Sequence, residues 1–501
     1  MTLPPDRIPV IAGIGEITDC SKEFAAALEP LSLMAEAARR ADAETRGLLC
    51  DVDSVDIVGL VSWRYESPTA ELSAVLGVQP RRAVYGDVGG ESPVRFLHEA
   101  AQRIARGESD TALVLGAEAQ YAVNNAKRAN AELPWTPYAV NAPRFRRAAD
   151  YVHPLAIRMG VAWPVNVYPF YEIAAAHAWG QTPAQAQEET GRIWSAYSKV
   201  AAENPYAWLP KALTPTDITT PTADNRYISW PYTKRMVANP NVNQGAAVII
   251  TSLAKARAAG VPEDQLVFFG LGGFANERRG WLSRDNYRHS MAQHVLLETM
   301  LARHDGRAFD ALELYSCFPI VPKLAQRTLN LASSFEPTVT GGLSFFGAPL
   351  NNHMTHAACA MVRRIRDGAR NGLLYGQGEF VTKHYGLTLA NEPVTTNGTH
   401  DITEDAHIQR LADPRLGDVR PVDETPNGLA ELETFTVIYD HAGQPTHAVI
   451  LARMPGGART VARSSNPDEI AFLTKPDRFP VGAEGHIHTG PDGLPEWRVH
   501  A

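Results

Sequence analysis

Cysteine and histidine are the residues of this sequence whose side chains could supply a nucleophile or bind a metal. His486 and His488 alternate as residues on one face of a strand do, and His500 follows, but no cysteine or acidic residue stands at a spacing that completes a metal site. We therefore predict no metal and interpret these histidines as exposed strand positions. The cysteines are scattered and form no Cys-x-x-Cys pair, which excludes a disulfide framework and a thiolate zinc site: Cys20, Cys50, Cys317 and Cys359.

Two glycine-rich segments have the backbone freedom to hold an anion. Gly89 and Gly90 stand before an amphipathic stretch, so we expect them at a helix N-terminus, with Ser92 as the N-cap and Pro93 in the first turn. The free amides and the helix dipole there suit an oxyanion, a phosphate or a thiolate, although most helix starts bind only water. The segment 13–15 lacks the third glycine of a dinucleotide loop, which disfavours a nucleotide site.

The elements that must position these residues have α/β patterning. Short apolar runs at 8–13 and 55–60 alternate with an amphipathic stretch at 31–41. The runs at 111–116 and 246–250 are almost wholly apolar, as central strands covered by helices on both faces are. We therefore predict a layered α/β sheet.

The succession of a glycine-rich turn, a helix and a strand occurs twice along the chain. It runs from Gly89 to Gly116 and again from Gly341 to Gly376. Two homologous halves are the economical explanation, and coincidence among glycine-rich turns is the alternative.

Composition changes divide the chain into segments. We predict an N-terminal half over 1–260, in which 120–237 is an insertion that either covers a binding cleft or is a packing subdomain. A second half spans 261–390, and 391–420 is a linker rich in Pro, Thr, Asp and Asn. Alternating residues after 421 predict a small β domain over 421–501.

Composition and charge exclude several function classes. The 501 residues include 47 Lys and Arg against 55 Asp and Glu, a net charge of −8, which disfavours binding to nucleic acid. No run of about 20 apolar residues is present, and the N-terminus has no signal-peptide pattern, so we expect no membrane association and a cytoplasmic location.

The paired motifs resemble the thiolase superfamily in order over roughly 8–390. The segment from Gly90 to Pro93 is similar to the one that carries the nucleophilic cysteine of thiolases, and 313–318 is similar to the His-Asp-Cys-Phe region of sterol-carrier-type thiolases. Residues 347–350 resemble the Gly-His-Pro loop, and 372–378 resemble the strand of the second cysteine. The resemblance implies the thiolase fold, α/β with two βαβαβαββ halves in αβαβα layers.

Three segments look like the thiolase-like proteins of type 1 within that superfamily. They are Val167 to Glu172, Tyr315 to Pro319 and Thr382 to His384. This resemblance implies an additional C-terminal β domain of the OB type, and a usual description as an acetyl-CoA acetyltransferase.

The departures from the family pattern concern its catalytic groups. The resemblance puts Gly90 at the nucleophile position, Ala348 at the histidine of Gly-His-Pro and Gln377 at or near the second cysteine. Tyr315 and Ser316 replace the histidine and the acid of the His-Asp-Cys-Phe region. Since glycine has no side chain to form an acyl-enzyme, the usual thiolase route is not available here.

The resemblance also indicates which residues could replace the missing groups. Cys317 is the cysteine that it puts near the cleft and our predicted nucleophile, the alternative being a small buried apolar side chain. His353 and His384 are predicted general bases, although His353 shares a helix with His356 and either could be a packing residue. We expect no cofactor, and a coenzyme A thioester as substrate or ligand in contact with Gly90, Ser92, Gly347, Pro349 and Gln377.

Three classes of function follow. The first is an acyltransferase-like enzyme that acts on acyl-CoA thioesters with altered chemistry, and the second is a non-catalytic protein that binds CoA or acyl-CoA. The third, an interaction module whose β domain binds an oligonucleotide or a protein, ranks last because the C-terminal region is not visibly basic. Thiolases are commonly dimers or tetramers, but an additional domain could cover a dimer surface, so monomer and homodimer both stay open.

Overall fold

The computed structural model of the chain describes residues 3–142, 150–304, 306–332, 334–393 and 407–500. Its strands are β1 (Pro9–Thr18), β2 (Ser54–Ile57), β3 (Arg82–Tyr85), β4 (Thr111–Ala119), β5 (Tyr227–Trp230), β6 (Tyr232–Thr233), β7 (Asn243–Ser252), β8 (Val267–Asn276), β9 (Ala311–Leu314), β10 (Asn371–Gly378), β11 (Lys383–Ala390), β12 (Gly428–Tyr439), β13 (Pro445–Arg453), β14 (Arg459–Ser464), β15 (Glu484–Thr489) and β16 (Pro495–Val499).

The α-helices are α1 (Pro30–Thr45), α2 (Pro68–Leu76), α3 (Ser92–Arg106), α4 (Gln120–Ala129), α5 (Pro154–Arg158), α6 (Pro164–Ala178), α7 (Pro183–Glu203), α8 (Pro215–Thr219), α9 (Leu253–Ala258), α10 (Met291–Arg303), α11 (Ile320–Thr328), α12 (Gly342–Phe345), α13 (His353–Arg366), α14 (His407–Ala412) and α15 (Pro467–Leu473). No helix in the described part of the chain combines the length and the apolar character that crossing a membrane requires.

Nine strands form the main sheet, in the order β3-β2-β4-β7-β1-β8-β11-β10-β9. Every residue of β4 and β7 is buried, because these strands, each with an apolar central run, lie in the middle of one half with helices packed against them. The predicted strands at 111–116 and 246–250 are confirmed.

The two halves of this sheet repeat one pairing pattern. In the first half β2 runs parallel to β4, which is antiparallel to β7, which is antiparallel to β1. In the second half β9 runs parallel to β10, which is antiparallel to β11, which is antiparallel to β8. The segments related by the glycine-rich repeat are α3 with β4 and α13 with β10, so the prediction of two halves is confirmed.

Helices α3 and α13 form the layer between the halves. They contact each other, and each contacts strands of both halves. Helix α3 buries an apolar stripe of Leu97, Ala100, Ala101 and Ile104, and Gly107 caps its C-terminus with a φ of 71°, which suits glycine. The N-terminus of α3 therefore lies inside the molecule, next to the second half.

The C-terminal strands close into a small barrel. Strands β12, β13, β14, β16 and β15 pair in a ring, since β12 bonds both β13 and β15. This arrangement agrees with the predicted OB-like domain and, with the two halves, confirms the predicted fold class.

The insertion and the predicted linker both contain structure that the sequence did not indicate. Strand β5 pairs with β12, so the hairpin of β5 and β6 extends the C-terminal sheet from within the predicted cleft region of 120–237. In the predicted linker of 391–420, residues 394–406 lie outside the described residues, and α14 packs on α10 and β8. Gln409 of α14 fixes that position by accepting a hydrogen bond of 2.7 Å from the backbone of Asn276.

Candidate functional site

Gly90 lies where the two halves meet, directly before α3. A Cβ atom built at Gly90 would stand 2.2 Å from Tyr315 Oη and 2.5 Å from the backbone oxygen of Gln377. Real Cβ atoms essentially never show contacts under 3.0 Å. The structure thus brings Gly90 and Gln377 together, as predicted, and fills the space beside Gly90 with a tyrosine.

Three polar side chains continue this site from Gly90. Tyr168 Oη lies 3.0 Å from Gln377 Oε1 and 2.7 Å from the backbone oxygen of Glu379. The Sγ atom of Cys317 lies 3.6 Å from the same Gln377 oxygen. Burial raises the pKa of Tyr168 and of Tyr315 well above the ordinary phenol value, so both hydroxyls stay protonated and have a proton to donate.

The environment of Cys317 favours the thiol over the thiolate. Burial raises the pKa of Cys317 to about 12, and the hydrogen bond with Tyr168 offsets only part of this rise. At neutral pH the thiolate fraction is then very small, and the thiolate is the nucleophilic form. Cys317 stays a prediction as the nucleophile, and its raised pKa disfavours that role.

A row of alternating charges leads from the surface to Gly90. Arg279 Nη2 lies 2.6 Å from Glu379 Oε1, and Lys383 Nζ lies 3.4 Å from both that oxygen and Glu91 Oε1. The side chain of Glu91, at the inner end of the row, is only 9% exposed. Its Oε2 atom has no hydrogen-bond partner among the described residues.

The turn between β10 and β11 is held in a strained conformation. Glu379 and Val381 have φ values of 57° and 52°, a region that costs free energy for a β-branched residue such as Val381. The buried Arg284 guanidinium donates to this turn, with Nη2 3.2 Å from Phe380 O and 2.7 Å from Thr382 Oγ1. Arg284 therefore positions the segment that carries Gln377 and Glu379.

The C-terminal barrel supports Arg284 in turn. Arg459, on β14, is fully buried and donates through Nη1 to the backbone oxygen of Arg284 at 2.5 Å and through Nη2 to that of Asp285 at 3.2 Å. Glu433 of β12 pairs with the same guanidinium at 2.7 Å. The additional domain is thus connected to the Gly90 site through two arginines.

His353 has its two ring nitrogens engaged. Nδ1 lies 3.1 Å from the backbone oxygen of Gly347, and Nε2 lies 3.3 Å from Glu313 Oε1, with both side chains fully buried. The Tyr315 ring centre is 6.2 Å from that of His353. The predicted residues Gly347 and His353 therefore lie together behind Tyr315, and His353 stays a prediction as a base.

His384 is buried and neutral. Its Nδ1 lies 2.8 Å from Tyr375 Oη, and its Nε2 lies 3.2 Å from Ser290 Oγ. Burial, with a smaller contribution from Arg284, lowers the pKa of His384 to about 3. An imidazole that weakly basic is poorly suited to removing a proton near neutral pH, so the structure disfavours this predicted base as well.

Ser92 and the Gly-Ala-Pro loop complete the predicted set. The prediction of Ser92 as an N-cap is wrong: Glu91 is the N-cap residue, and Ser92, the first helical residue, turns its hydroxyl back to Gly89 O at 2.6 Å. The loop of Gly347 and Pro349 leads into Asn351, whose Oδ1 accepts a 3.0 Å bond from the Gly89 amide. The loop is thereby tied to the same glycine turn.

Four residues of the site were not predicted from the sequence: Glu91, Tyr168, Lys383 and Asn351. Glu91, Lys383 and Tyr168 lay within motifs quoted for the family resemblance, but nothing in the sequence indicated that Glu91 would be buried beside Lys383. No group of three or more His, Cys, Asp or Glu side chains in the described segments could hold a metal ion.

Comparison with known proteins gives one family match and several structural matches. The family described as "Thiolase-like protein type 1 additional C-terminal domain" matches residues 416–493. No curated protein matches the chain. A monomeric SCP2-thiolase-like protein type 1 from Mycobacterium smegmatis is 26% identical, with a TM-score of 0.81 and 100% of each chain covered.

Two further solved structures share the thiolase fold over most of this chain. The Ltp2-ChsH2(DUF35) aldolase is 18% identical with a TM-score of 0.59, covering 78% of this chain and 98% of its own. The human mitochondrial 3-ketoacyl-CoA thiolase in complex with CoA is 12% identical with a TM-score of 0.54, covering 77% of this chain and 98% of its own. At these identities the likeness concerns the fold.

Proposed function

We propose that this chain, which is similar to the thiolase-like proteins of type 1, binds an acyl-CoA thioester at the Gly90 site without forming an acyl-enzyme there. The observation that carries this proposal is the filled space at Gly90, where a Cβ atom would stand 2.2 Å from Tyr315 Oη. Covalent transfer needs a nucleophilic side chain, and this position has neither the side chain nor the room for one.

The groups around Gly90 suit the uncharged carbonyl of a thioester. The protonated Tyr315 hydroxyl offers a donor to a carbonyl oxygen, and no thiolate competes for that position at neutral pH. A 3-ketoacyl-CoA thiolase crystallised with CoA has this fold, which supports coenzyme A as the carrier.

The alternative is acyl transfer through Cys317, with His353 or His384 as the base. It would require the Cys317 thiol to ionise far below its pKa of about 12. A covalent acyl-enzyme and its loss in a Cys317→Ala variant would favour this alternative.

Calorimetric titration with CoA, acetyl-CoA and acetoacetyl-CoA, paired with intact-protein mass spectrometry, tests the proposal. We expect saturable binding of at least one thioester and an unchanged protein mass. Gly90→Ala should weaken that binding because its methyl group displaces Tyr315, whereas Gly456→Ala, at an open position with nothing within 4 Å, is the matched control. Absence of binding by the wild-type protein, or a mass increase by one acyl group, would reject the proposal.

A further inference from the structure

Two polar groups of opposite hydrogen-bonding character flank Gly90. Tyr315 Oη approaches it from the second half. Glu91 Oε2 approaches the neighbouring backbone, since a Cβ atom at Gly89 would stand 2.4 Å from this oxygen and one at Gly378 would stand 2.0 Å from it. Glycine at these two positions leaves the room in which the carboxylate sits.

Glu91 is unusual because its charge is buried with little compensation. Lys383 reaches only Oε1, at 3.4 Å, and Oε2 has no hydrogen-bond partner among the residues that the structure describes. The N-terminus of α3, where Glu91 is the N-cap, adds a favourable dipole. A buried carboxylate oxygen without a hydrogen bond is costly, and such groups are concentrated where a ligand or water supplies the missing donor.

The two groups divide the roles of acid and base between them. Burial, then the neighbouring Cys317 and Glu91, raises the pKa of Tyr315 well above its ordinary value, so the hydroxyl can donate but does not ionise. The Glu91 carboxylate offers the complementary acceptor, since its Oε2 atom has no hydrogen-bond partner among the described residues while Oε1 faces Lys383.

We propose that Glu91 is a general base that activates a water molecule for hydrolysis of the bound acyl-CoA thioester, with the Tyr315 hydroxyl polarising the thioester carbonyl. The proposal rests on the proposed function, because it requires the thioester at Gly90. Water is the nucleophile that remains when position 90 carries no side chain.

The reaction balances without another reactant. Glu91 accepts one proton from water as the water oxygen forms a bond to the carbonyl carbon, and the Tyr315 hydroxyl donates a hydrogen bond to the developing oxyanion. The carbon–sulfur bond then breaks, and the proton held by Glu91 goes to the leaving thiolate. The products are a carboxylic acid and free coenzyme A.

Hydrolysis in ¹⁸O-labelled water tests this inference with the full-length protein. Acetyl-CoA and acetoacetyl-CoA serve as probes, free thiol is followed over time, and the acid is analysed by mass spectrometry. We expect one ¹⁸O atom in the acid. Glu91→Gln keeps the shape of the side chain but cannot take a proton, so we expect about a 100-fold slower rate with unchanged thioester affinity.

Tyr315→Phe should also lower the rate by about 100-fold, since it removes the donor to the oxyanion. Glu189→Gln, which removes a partly buried carboxylate of α7 that pairs with Arg327, is the control and should keep the wild-type rate. Thioester binding without hydrolysis, or a Glu91→Gln variant as fast as wild type, would overturn this inference and leave the proposed function standing. Absence of thioester binding would overturn both.

Discussion

Restoring the family's nucleophile as Gly90→Cys should not restore thiolase chemistry. An ordinary van der Waals contact begins near 3.4 Å, and the Cβ atom at this position would stand 2.2 Å from Tyr315 Oη and 2.5 Å from Gln377 O. The tyrosine would have to withdraw by about 1.2 Å and the Gln377 backbone by about 0.9 Å before any space is found for the sulfur. A tyrosine side chain can move, but a backbone atom in a paired strand moves at a higher cost.

The expected destabilisation follows from this crowding. Overpacking a filled interior costs about 1–3 kcal/mol, and we expect the upper end of this range because one of the two contacts is with backbone. The control is Gly456→Cys, at a position where a Cβ atom meets nothing within 4 Å. Chemical denaturation of the two variants under reducing conditions gives the difference, and the rate of thiol alkylation reports how accessible each new cysteine is.

The functional readout is intact mass after exposure to acetoacetyl-CoA with CoA. We expect no acetyl adduct on Gly90→Cys and slow alkylation, against fast alkylation of Gly456→Cys. A Gly90→Cys protein as stable as Gly456→Cys that also accumulates an acetyl-enzyme would refute the reasoning, because it would mean that Tyr315 leaves the space beside position 90 at little cost.

Three further predictions concern the surroundings of the site. Lys323 Nζ is fully buried and lies 2.6 Å from Glu172 Oε1, so Lys323→Met should cost about 3–5 kcal/mol in unfolding free energy, and adding Glu172→Gln should recover part of that loss. Arg459→Ala should weaken thioester affinity in calorimetric titration, because the Arg284 backbone oxygen loses its buried donor at 2.5 Å, whereas Arg459→Lys should recover part of the affinity. Equal affinity in the wild-type protein and both variants would contradict the connection between the barrel and the Gly90 site. The pKa of His384 falls from 6.5 to about 3 on folding, so between these pH values the unfolded state binds one more proton than the folded state. The free energy of unfolding should therefore decrease as the pH is lowered from about 6.5 towards 3. Denaturation measured across that range should show a shallower decrease for His384→Gln.

Most elements of the fold could be predicted from the sequence because their signals are local and repeated. Apolar strands such as 111–116, the stripe of α3 and the second copy of the glycine turn each predict an element without knowledge of its partners. The family resemblance supplied the order in which the elements pack. The hairpin of β5 and β6 was missed because its pairing with β12 joins segments about 200 residues apart, and nothing in either segment indicates the other.

The site was predictable in its outline and not in its chemistry. The meeting of Gly90 and Gln377 followed from aligning two motifs, and the structure confirms it. The protonation states of Cys317 and His384 depend on burial that only the packed molecule has, so the sequence could name these residues but not their pKa directions. Glu91 was overlooked since a glutamate before a helix is ordinarily a solvent-exposed N-terminal residue.

The pairing of β5 with β12, together with the arginine contact at Arg284, has a consequence for how such proteins can diversify. A recombination breakpoint anywhere between 234 and 427 would separate the hairpin from the barrel strand that it extends. A breakpoint between 286 and 427 would also separate Arg459 from the backbone oxygens to which it donates. The barrel, the hairpin of β5 and β6 and the segment around Arg284 must therefore be inherited together. A relative could acquire a different barrel only if it also exchanged the seven residues 227–233 and the surface around Arg284.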